Sequence, residues 1–581
     1  MTSAIQRSLQ MNRRLLTLGI LCALAVQLPA QSARKGGTSK APFPVVEYLL
    51  PPAQKSLLPQ YEFADTLEEQ EKQLAVNPLL KRFADSREAQ ADDPHRPFYH
   101  YVNPEGRLND PNGLCFWKGR WHLFYQAYPP EDPRQHWGHA VSDDLIHWRD
   151  LPPAIYPVPE DKCFSGSTLV EESRVIAAYH GIGRGTMIAV SSDPLLLNWK
   201  KVTGDAVIKL KKKDAPDHPY EVFDPSIWKQ GNHYYLLTGG QQKNGPGGKV
   251  TREVFLHRSK DLAKWEYLHP FLENDRYGLV GDDGACPYFW PIGTKRQNKH
   301  IMLHFSHMSG GKYLLGDYDT RRQKFVVTDG GDFNHGPVAP GGTHAPSACP
   351  DPQNPRAVIG LFNMNPGIRT PDRNHWNQIM SLPRRFTLSQ EGKLQMAPAG
   401  DIASLRGDLE RVVSLSLPKD KEIVLKNING NAMELLARIG PKTAQVVDLK
   451  ILRSPNAEEF TRILIHPRAG YKLKHGVRRD RQQRVFTKGT ITIDTSRSST
   501  LSGVLARPSE VAPYLIGANK TLNLRIFIDR SIVEVFINGV QCAAVRVYPG
   551  RQDSTGVSLR SIGGDAQLIS MNAWQMENIY Q

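Results

Sequence analysis

Cysteine is scarce in this chain, and its spacing argues against two classes of protein. Six cysteines occur in 581 residues, too few for a small scaffold held together by disulfides. None belongs to a CxxC pair or lies near histidines at the spacing of a zinc site, so we expect neither a metal nor a cofactor. Cys22 lies in an apolar N-terminal stretch, and we expect the other five to be buried thiols, with one disulfide left open.

Clustered charge is also scarce, although the chain is basic, with a formal net charge of +15. Its densest basic runs, at residues 211–213 and 478–481, are short. No basic-and-aromatic module of the kind that binds nucleic acids accompanies them. We therefore expect no nucleic-acid partner and interpret most of the charges as solvated surface.

Long apolar runs are absent except near the N-terminus. Arg13 and Arg14 precede an apolar run over residues 15–28, and small residues follow near Ala30. This order is typical of a secretory signal peptide, and the run is shorter than the about 20 residues that span a bilayer. We interpret residues 1–30 as a signal peptide, which predicts a secreted or periplasmic protein with no membrane insertion after signal removal. A retained membrane anchor is the alternative.

The composition changes twice along the rest of the chain. Residues 31–97 are polar, then show helical spacing, and are interpreted as a linker and a short helical leader without chemistry. Residues 98–398 contain short aromatic and β-branched runs separated by Gly, Asp, Asn and Pro, which predicts strands and turns. Residues 399–581 contain alternating strands joined by turns such as Asn538-Gly539 and indicate a second all-β unit, a sandwich or a barrel.

An internal repeat occurs within residues 98–398. The repeat consists of a Ser-Asp-Leu turn followed by a tryptophan, at Ser142–Trp148, Ser192–Trp199 and Ser259–Trp265. The tryptophans are 51 and 66 residues apart, a period typical of propeller blades. Five blades fit in this region, and we expect each tryptophan to pack between blades and not to contact a ligand.

The heptad Arg107-Leu-Asn-Asp-Pro-Asn-Gly113 places a carboxylate, that of Asp110, among turn-forming residues. Asp110 precedes Pro111 and is therefore disfavoured in a helical conformation. Turn-forming residues surround it, and a strand follows at once, which places the carboxylate at the entrance of a strand near the propeller channel. This heptad alone fits both interpretations of Asp110, a structural turn residue and a catalytic residue.

Longer stretches of sequence carry a resemblance. The run NDPNG, LFYQ, WGHAVSDDLIHW and LPPAIYP resembles the opening of a glycoside hydrolase of family 32, the invertase, levanase and inulinase-like β-fructofuranosidases. Later stretches agree in the same order, at residues 164–167, 224–225, 286–287, 313–318, 376–384 and 529–536. The likeness covers about residues 98–578, and the chain is identified as a divergent member.

The resemblance implies an all-β fold, a five-bladed β-propeller followed by a C-terminal β-sandwich, and retaining hydrolysis of β-fructofuranosides. Retention requires two carboxyl groups about 5–5.5 Å apart. By motif, Asp110 is the nucleophile, and Asp224 holds sugar hydroxyls and stabilises the transition state. The family's substrate contacts fall on Asn109, Gln126, Trp137, Phe164 and Ser165. An exposed aromatic ring at the channel mouth suits the apolar face of a sugar.

Two departures from the family pattern fall in the expected site. Phe223 stands before Asp224 where the family has arginine, and Ala285 stands before Cys286 where the family has its acid/base glutamate. Asp283 lies two residues earlier, on the same side of an extended strand, and is predicted to donate the proton. Burial and the charge of Asp110 would raise its pKa. The alternative is a site that lacks its acid.

The sequence therefore predicts a secreted retaining glycoside hydrolase that cleaves β-fructofuranosidic bonds in a fructan, sucrose or related furanoside. Its partner is a carbohydrate substrate. One alternative is a furanosidase with a different sugar specificity, and another is a catalytically weak carbohydrate-binding protein on a hydrolase scaffold. We expect the C-terminal unit to stabilise the propeller through an apolar interface and to carry no catalytic residue.

Overall fold

The structure, a computed structural model, describes residues 55–211, 218–334, 342–368, 376–475, 482–505, 510–515 and 521–580. The predicted signal peptide and Cys22 lie outside these ranges. Within them, the other five cysteines are free and buried, so the open disulfide is not formed. No helix in the same ranges is long and apolar enough to cross a membrane.

Two short helices, α1 (Leu67–Ala75) and α2 (Pro78–Ala89), form the leader. The sequence predicted one helical stretch here, but Asn77 divides it, because its side chain accepts hydrogen bonds from the first free N–H groups of α2. Both helices are anchored to the strands that follow. Gln70 donates to Asp193 (2.8 Å), and Arg87 forms an ion pair with Asp150 (2.6 Å).

Five successive sheets, numbered I to V, follow the leader. Sheet I contains β1 (Arg107–Trp117), β2 (Arg120–Tyr128), β3 (His136–Ser142) and β4 (Arg149–Ile155), and sheet II contains β5 (Cys163–Val170), β6 (Val175–Gly181), β7 (Gly185–Ser191), β8 (Lys200–Lys201) and β9 (Ile208–Lys209). Sheet III contains β10 (Ser226–Gln230), β11 (His233–Gln242), β12 (Thr251–Ser259) and β13 (Glu266–Pro270). Sheet IV contains β14 (Leu272–Glu273), β15 (Ala285–Ile292), β16 (Lys299–Ser306), β17 (Gly310–Asp319) and β18 (Lys324–Asp332). Sheet V contains β19 (Thr343–Asp351), β20 (Asn354–Met364), β21 (Ile379–Met380), β22 (Arg384–Leu388) and β23 (Leu394–Pro398).

The five sheets meet along one edge strand each. The strand pairs within these sheets are antiparallel, except that β14 pairs in parallel with β18 at the far edge of sheet IV. The edge strands β1, β5, β10, β15 and β19 contact one another in that order, and β19 also contacts β1. Five sheet edges therefore surround one region, and the sheets stay separate and do not join into one hydrogen-bonded barrel.

The repeated turn has the same construction in sheets I, II and III. A serine hydroxyl donates to the aspartate two residues later, from Ser142 to Asp144 (2.9 Å), from Ser191 to Asp193 (2.8 Å) and from Ser259 to Asp261 (3.2 Å). The second turn thus uses Ser191, one residue earlier than the sequence alignment placed it. Trp199 of the second repeat lies edge-on to Phe124 of sheet I, with ring centroids 5.7 Å apart, which is packing between sheets.

Two six-stranded sheets, VI and VII, form the C-terminal part. Sheet VI contains β24 (Arg406–Leu417), β26 (Ala432–Gly440), β31 (Leu522–Asp529), β32 (Ile532–Ile537), β33 (Gln541–Arg546) and β35 (Ala566–Met576). Sheet VII contains β25 (Glu422–Asn429), β27 (Val446–Arg453), β28 (Thr461–His475), β29 (Gln482–Asp494), β30 (Glu510–Leu515) and β34 (Gly556–Ile562). Alternate residues of both sheets are buried in one apolar core, as in two sheets packed face to face.

The junction between sheet VI and the five-sheet region is only partly the apolar interface that the sequence predicted. An apolar cluster does cross it, with Tyr99 and Leu382 packed among Phe527, Phe536 and Met576. Beside this cluster lies a fully buried polar network built on Asp529, Glu534, His100 and Arg384. The junction therefore combines apolar packing with buried ion pairs.

Candidate active site

Asp110 lies in β1, at the region that the five edge strands surround, and only 7% of the residue is exposed. The pairing of β1 with β2 shifts between Leu108 and Pro111, since a proline has no N–H to donate to the ladder. This irregularity occurs at the carboxylate-bearing residue. It leaves the Asp110 side chain turned toward neighbouring sheets.

Three side chains contact Oδ2 of Asp110. Ser165 Oγ donates to it over 2.5 Å and Gln126 Nε2 over 3.3 Å, and the Cys286 thiol lies 3.7 Å away. The other oxygen, Oδ1, is 3.1 Å from Nε2 of His344. Burial raises the pKa of Asp110, but His344, the Ser165 hydroxyl and the charge of His307 together outweigh it and hold the pKa below its usual value. Asp110 is therefore an ionised, oriented carboxylate.

Asp224 lies two residues before β10 in the left-handed region of backbone conformation, with φ of 29°, a strained arrangement for a non-glycine residue. Its Oδ2 accepts hydrogen bonds from the backbone N–H (3.2 Å) and the thiol (3.3 Å) of Cys286. Burial, followed by the charge of Asp110, raises the pKa of Asp224 to about 7. Phe223, which replaces the family's arginine, provides no positive charge to oppose this shift.

Asp110 and Asp224 share the Cys286 thiol as a neighbour. One carboxylate has a lowered pKa and the other a raised pKa. A pair of acids with divergent pKa values in one site is typical of acid–base and nucleophilic chemistry. The pair titrates as a coupled unit, since the charge of each affects the other.

The stretch before Cys286 differs from the extended strand that the sequence predicted. β15 begins at Ala285, which is fully buried, and Asp282 and Asp283 lie before the strand. Asp282 is fully buried and accepts hydrogen bonds from Ser306 (2.6 Å), Ser309 (2.6 Å) and the Leu279 N–H (2.6 Å). Asp282 is therefore a structural turn residue.

Asp283 is paired with a histidine that the sequence reasoning missed. The backbone N–H of His307 donates to Oδ1 of Asp283 (3.1 Å), and Nδ1 of His307 donates to Oδ2 (2.8 Å). The hydrogen bond with Asp283 raises the pKa of His307, burial opposes it, and the charges of Asp224 and Asp110 add to the increase. His307 follows β16 directly, so only the pairing of β15 with β16 would have revealed the contact.

Only some of the residues that the resemblance assigned to sugar binding lie in contact with Asp110 or with one another. Gln126 and Ser165 contact Asp110, and Asn109 donates to Gln126 (3.4 Å). Of the two aromatic residues assigned to sugar binding, Trp137 is fully buried, and its Nε1 donates to the backbone oxygen of Phe164 (2.9 Å). The Trp137 ring packs between Phe124 and Tyr179. Phe164 remains half-buried.

Two further residues contact Asn109 from sheet V and its connecting segment. Asn363 and Gln378 each donate to Oδ1 of Asn109 over 3.1 Å. Gln378 lies within the stretch 376–384 that carries the resemblance, but the sequence assigned no role to it, and no motif pointed to Asn363. In the part of the chain that the structure describes, no group of three His, Cys, Asp or Glu is arranged to hold a metal ion.

Comparisons with known proteins match this architecture over most of the chain. The model of the glycosyl hydrolases family 32 N-terminal domain matches residues 100–398, and the model of the family's C-terminal domain matches residues 401–575. A levanase of Bacillus subtilis is 27% identical over 530 residues, covering 84% of this chain and 71% of the levanase. An insoluble β-fructofuranosidase isoenzyme of Daucus carota is 26% identical over 547 residues, covering 83% of this chain and 89% of the relative.

Solved structures show the same fold. The fructan 1-exohydrolase IIa of Cichorium intybus superposes with a TM-score of 0.71 at 22% identity, covering 84% of this chain and 98% of that one. The β-fructofuranosidase BmSUC1 of Bombyx mori superposes with a TM-score of 0.64 at 22% identity, covering 87% and 99%. These likenesses concern the path of the backbone.

Proposed function

We propose, since the chain belongs to glycoside hydrolase family 32 and is a glycosyl hydrolase, that it cleaves β-fructofuranosidic bonds in a fructan, sucrose or related furanoside with retention of configuration. The observation that carries this proposal is the pairing of an ionised Asp110 with a buried Asp224 of raised pKa around one thiol. The similarity to a levanase and to β-fructofuranosidases supports the choice of sugar.

Asp110 acts as the nucleophile. Its Oδ2 is held by Ser165 and Gln126, which fixes the plane of the carboxylate and leaves Oδ1, beside His344, for attack on the anomeric carbon. The carboxylate is ionised without an external base, because its pKa lies below the usual value. Attack forms a covalent glycosyl-enzyme, which water then hydrolyses.

The protonation state of Asp224 depends on the charge of Asp110. In the free protein the charge of Asp110 helps to hold the pKa of Asp224 near 7, so the group is present in both protonation states at neutral pH. Ester formation removes the charge of Asp110, and the pKa of Asp224 then falls. The ionised form of Asp224 stabilises the positive charge that develops on the sugar ring in the oxocarbenium-like transition state.

The proposal includes architecture and location. Sheets I to V correspond to the five blades of a β-propeller over residues 98–398, supported by the ring of contacts among their edge strands. Sheets VI and VII correspond to a β-sandwich over residues 399–581, supported by their common core. Residues 1–30 direct the protein to secretion or the periplasm, which rests on the charge and hydropathy order of that segment.

A different furanoside is the second candidate substrate, and Phe223 favours it. The Phe223 ring lies 5.9 Å from the ring of His180 and 6.1 Å from that of His307, so an aromatic surface occupies the position of the family's arginine. An apolar surface there favours a sugar with fewer hydroxyl groups to bind on that side.

Hydrolysis of a panel of sucrose, inulin, levan and arabinofuranosides by the purified protein tests the proposal. We expect turnover of at least one β-fructofuranoside, with the first released sugar in the β configuration by NMR. Turnover of arabinofuranosides alone would replace the sugar and keep the mechanism. Binding without turnover on every member would show a carbohydrate-binding protein, as the buried Ala285 in place of an acid would allow.

A further inference from the structure

We propose that His307, positioned by Asp283, donates the proton to the leaving oxygen and later accepts the proton of the attacking water. The proposal rests on the retaining mechanism described above. It assigns to a histidine of sheet IV the role for which the chain lacks the family's glutamate at position 285.

The pairing of β15 with β16 places the two residues opposite each other. Ala285 pairs with Phe305 in antiparallel register, so Asp283, two residues before Ala285, and His307, two residues after Phe305, face each other at the open end of the hairpin. Two hydrogen bonds, from the backbone N–H and from Nδ1 of His307, join them. The imidazole is therefore fixed in orientation by the same strand pair that buries Ala285.

Asp283 is a poor donor in this arrangement. Both of its oxygens accept hydrogen bonds from N–H groups of His307, so both are already occupied as acceptors. The Nε2 atom of His307 has no hydrogen-bond partner among the residues that the structure describes, and 56% of the side chain is exposed. Nε2 is thus the group free to reach a substrate oxygen.

His307 also lies close to the acid pair. Its charge lowers the pKa of both Asp110 and Asp224, and its ring centroid is 6.2 Å from that of His344. His344 contacts the nucleophile itself at 3.1 Å, so its Nε2 is engaged with Asp110. The two histidines therefore have different roles. His344 holds the nucleophile, and His307 faces the open site.

The steps balance without a further reactant. Asp110 attacks the anomeric carbon, the bond to the leaving oxygen breaks, and the proton on Nε2 of His307 moves to that oxygen. The product of this step is a glycosyl ester and a neutral imidazole. In the second step, the imidazole takes a proton from water as the water oxygen bonds to the anomeric carbon, and the Asp110 carboxylate leaves. Both the carboxylate and the imidazolium are restored.

His307→Gln, measured on two substrates, tests the role of the histidine. We expect kcat/KM on the best natural glycan to fall by about 10²–10⁴-fold. The first-turnover release of fluoride from β-fructosyl fluoride should change by less than about tenfold, because fluoride leaves without protonation. Added azide should restore the steady-state rate on the fluoride substrate, since this anion attacks the ester without a base.

The matched control is His147→Gln. His147 also pairs through Nδ1 with an aspartate, Asp144 (2.6 Å), and is similarly exposed, but it lies in the repeated turn of sheet I. It should leave both rates unchanged. Equal losses on both substrates for His307→Gln, or no loss, would overturn the assignment, as would the leaving-group-dependent pattern in His344→Gln. A wild-type protein inactive on both substrates would instead refute the proposed function.

Asp283→Asn tests the positioning role. The amide keeps an acceptor for Nδ1 but removes the charge, so the pKa of His307 should fall. The alkaline limb of the pH profile on the glycan should then move to lower pH. Asp110, Asp224 and His344, which also face His307, are present in both proteins, so the shift reports the missing charge. An unchanged alkaline limb, with a normal melting temperature, would overturn the role of Asp283.

Discussion

Two buried clusters of acids and histidines in this protein differ in how their charges are balanced. The junction cluster, at the boundary of sheet VI, contains Asp529, Glu534, His100 and Arg384. Asp529 accepts hydrogen bonds from the N–H groups of Phe98 (2.7 Å), Tyr99 (2.9 Å) and His100 (2.9 Å), and from the His100 ring (2.8 Å). Glu534 accepts from Arg384 (2.7 Å), the Leu382 N–H (2.7 Å) and His100 (3.2 Å).

These partners stabilise the charged forms. The charge of Arg384 and the hydrogen bond of His100 overcome burial and lower the pKa of Glu534. The two carboxylates overcome burial and raise the pKa of His100 to about 8. The site cluster is different, since Asp224 has no cationic partner at hydrogen-bonding distance among the described residues and its pKa is raised. Matched buried charges maintain a structure, whereas a partly matched pair leaves a group able to change its protonation state.

The largest effect is expected at the site cluster. Asp110→Asn should lower turnover by about 10⁴-fold, equivalent to about 5 kcal/mol of barrier, because an amide does not form the glycosyl ester. The melting temperature should stay close to that of the wild type. Steady-state kinetics on the best glycan and a thermal melt provide the check, and near-wild-type turnover would remove Asp110 from the role of nucleophile.

The junction should show the opposite pattern. Glu534→Gln removes the anion that pairs with Arg384 and with Nε2 of His100, and it should cost about 3 kcal/mol of unfolding free energy, while the activity per folded molecule stays unchanged. Glu458→Gln is the control, since Glu458 is exposed and pairs with Arg551 at the surface. Denaturant titration and an active-site-normalised rate measure both quantities. A loss of activity greater than the loss of folded protein would show that the clusters are not separate.

The junction also predicts a pH dependence of stability. The pKa of His100 is raised from 6.5 to about 8 by folding, so its contribution is fully present below about pH 6.5 and is lost as the pH rises through 8. The contribution is about 2 kcal/mol. Unfolding free energies at pH 6 and pH 9 measure it, and His100→Asn should reduce the difference between them. A difference unchanged in that variant would assign the dependence to other groups.

The smallest expected effect tests the electrostatic coupling between Asp110 and Asp224. In Asp110→Asn the pKa of Asp224 should fall, because the like charge of Asp110 is removed, but it should stay above the ordinary value because burial acts first. Infrared difference spectra of the carboxyl band across the titration, with Asp110→Asn/Asp224→Asn as the blank, measure the shift. An unshifted Asp224 band would mean that the two groups are not coupled.

The sequence predicted the parts of the site that follow from local motifs. Asp110 and Asp224 lie beside the five sheet edges, and Ser165 and Gln126, which the resemblance assigned to substrate binding, contact Asp110. It also singled out residues 529–536, but assigned that stretch only to apolar packing. The ion pairs of Asp529 and Glu534 depend on His100 and Arg384, each more than 100 residues away in sequence.

The errors and omissions share one physical origin. His307 reaches Asp283 only through the register of β15 against β16, and His344 reaches Asp110 only because β19 contacts β1. The burial of Trp137 depends on how sheets I and II pack around it. The alternation of side chains along a strand predicts which face of the sheet a residue lies on, but it does not predict which neighbouring sheet covers that residue.

The distribution of site residues among the sheets has a consequence for how such a site tolerates substitution during evolution. Asp110, Ser165, Asp224, Cys286 and His344 come from the inner edges of sheets I, II, III, IV and V, in that order. Each sheet has its own hydrogen-bonded framework, so a substitution at one edge alters one function and leaves the others in place. Each sheet thus supplies its own functional group to the site. Where one strand lacks such a group, as β15 does at Ala285, the next strand of the same sheet can supply one.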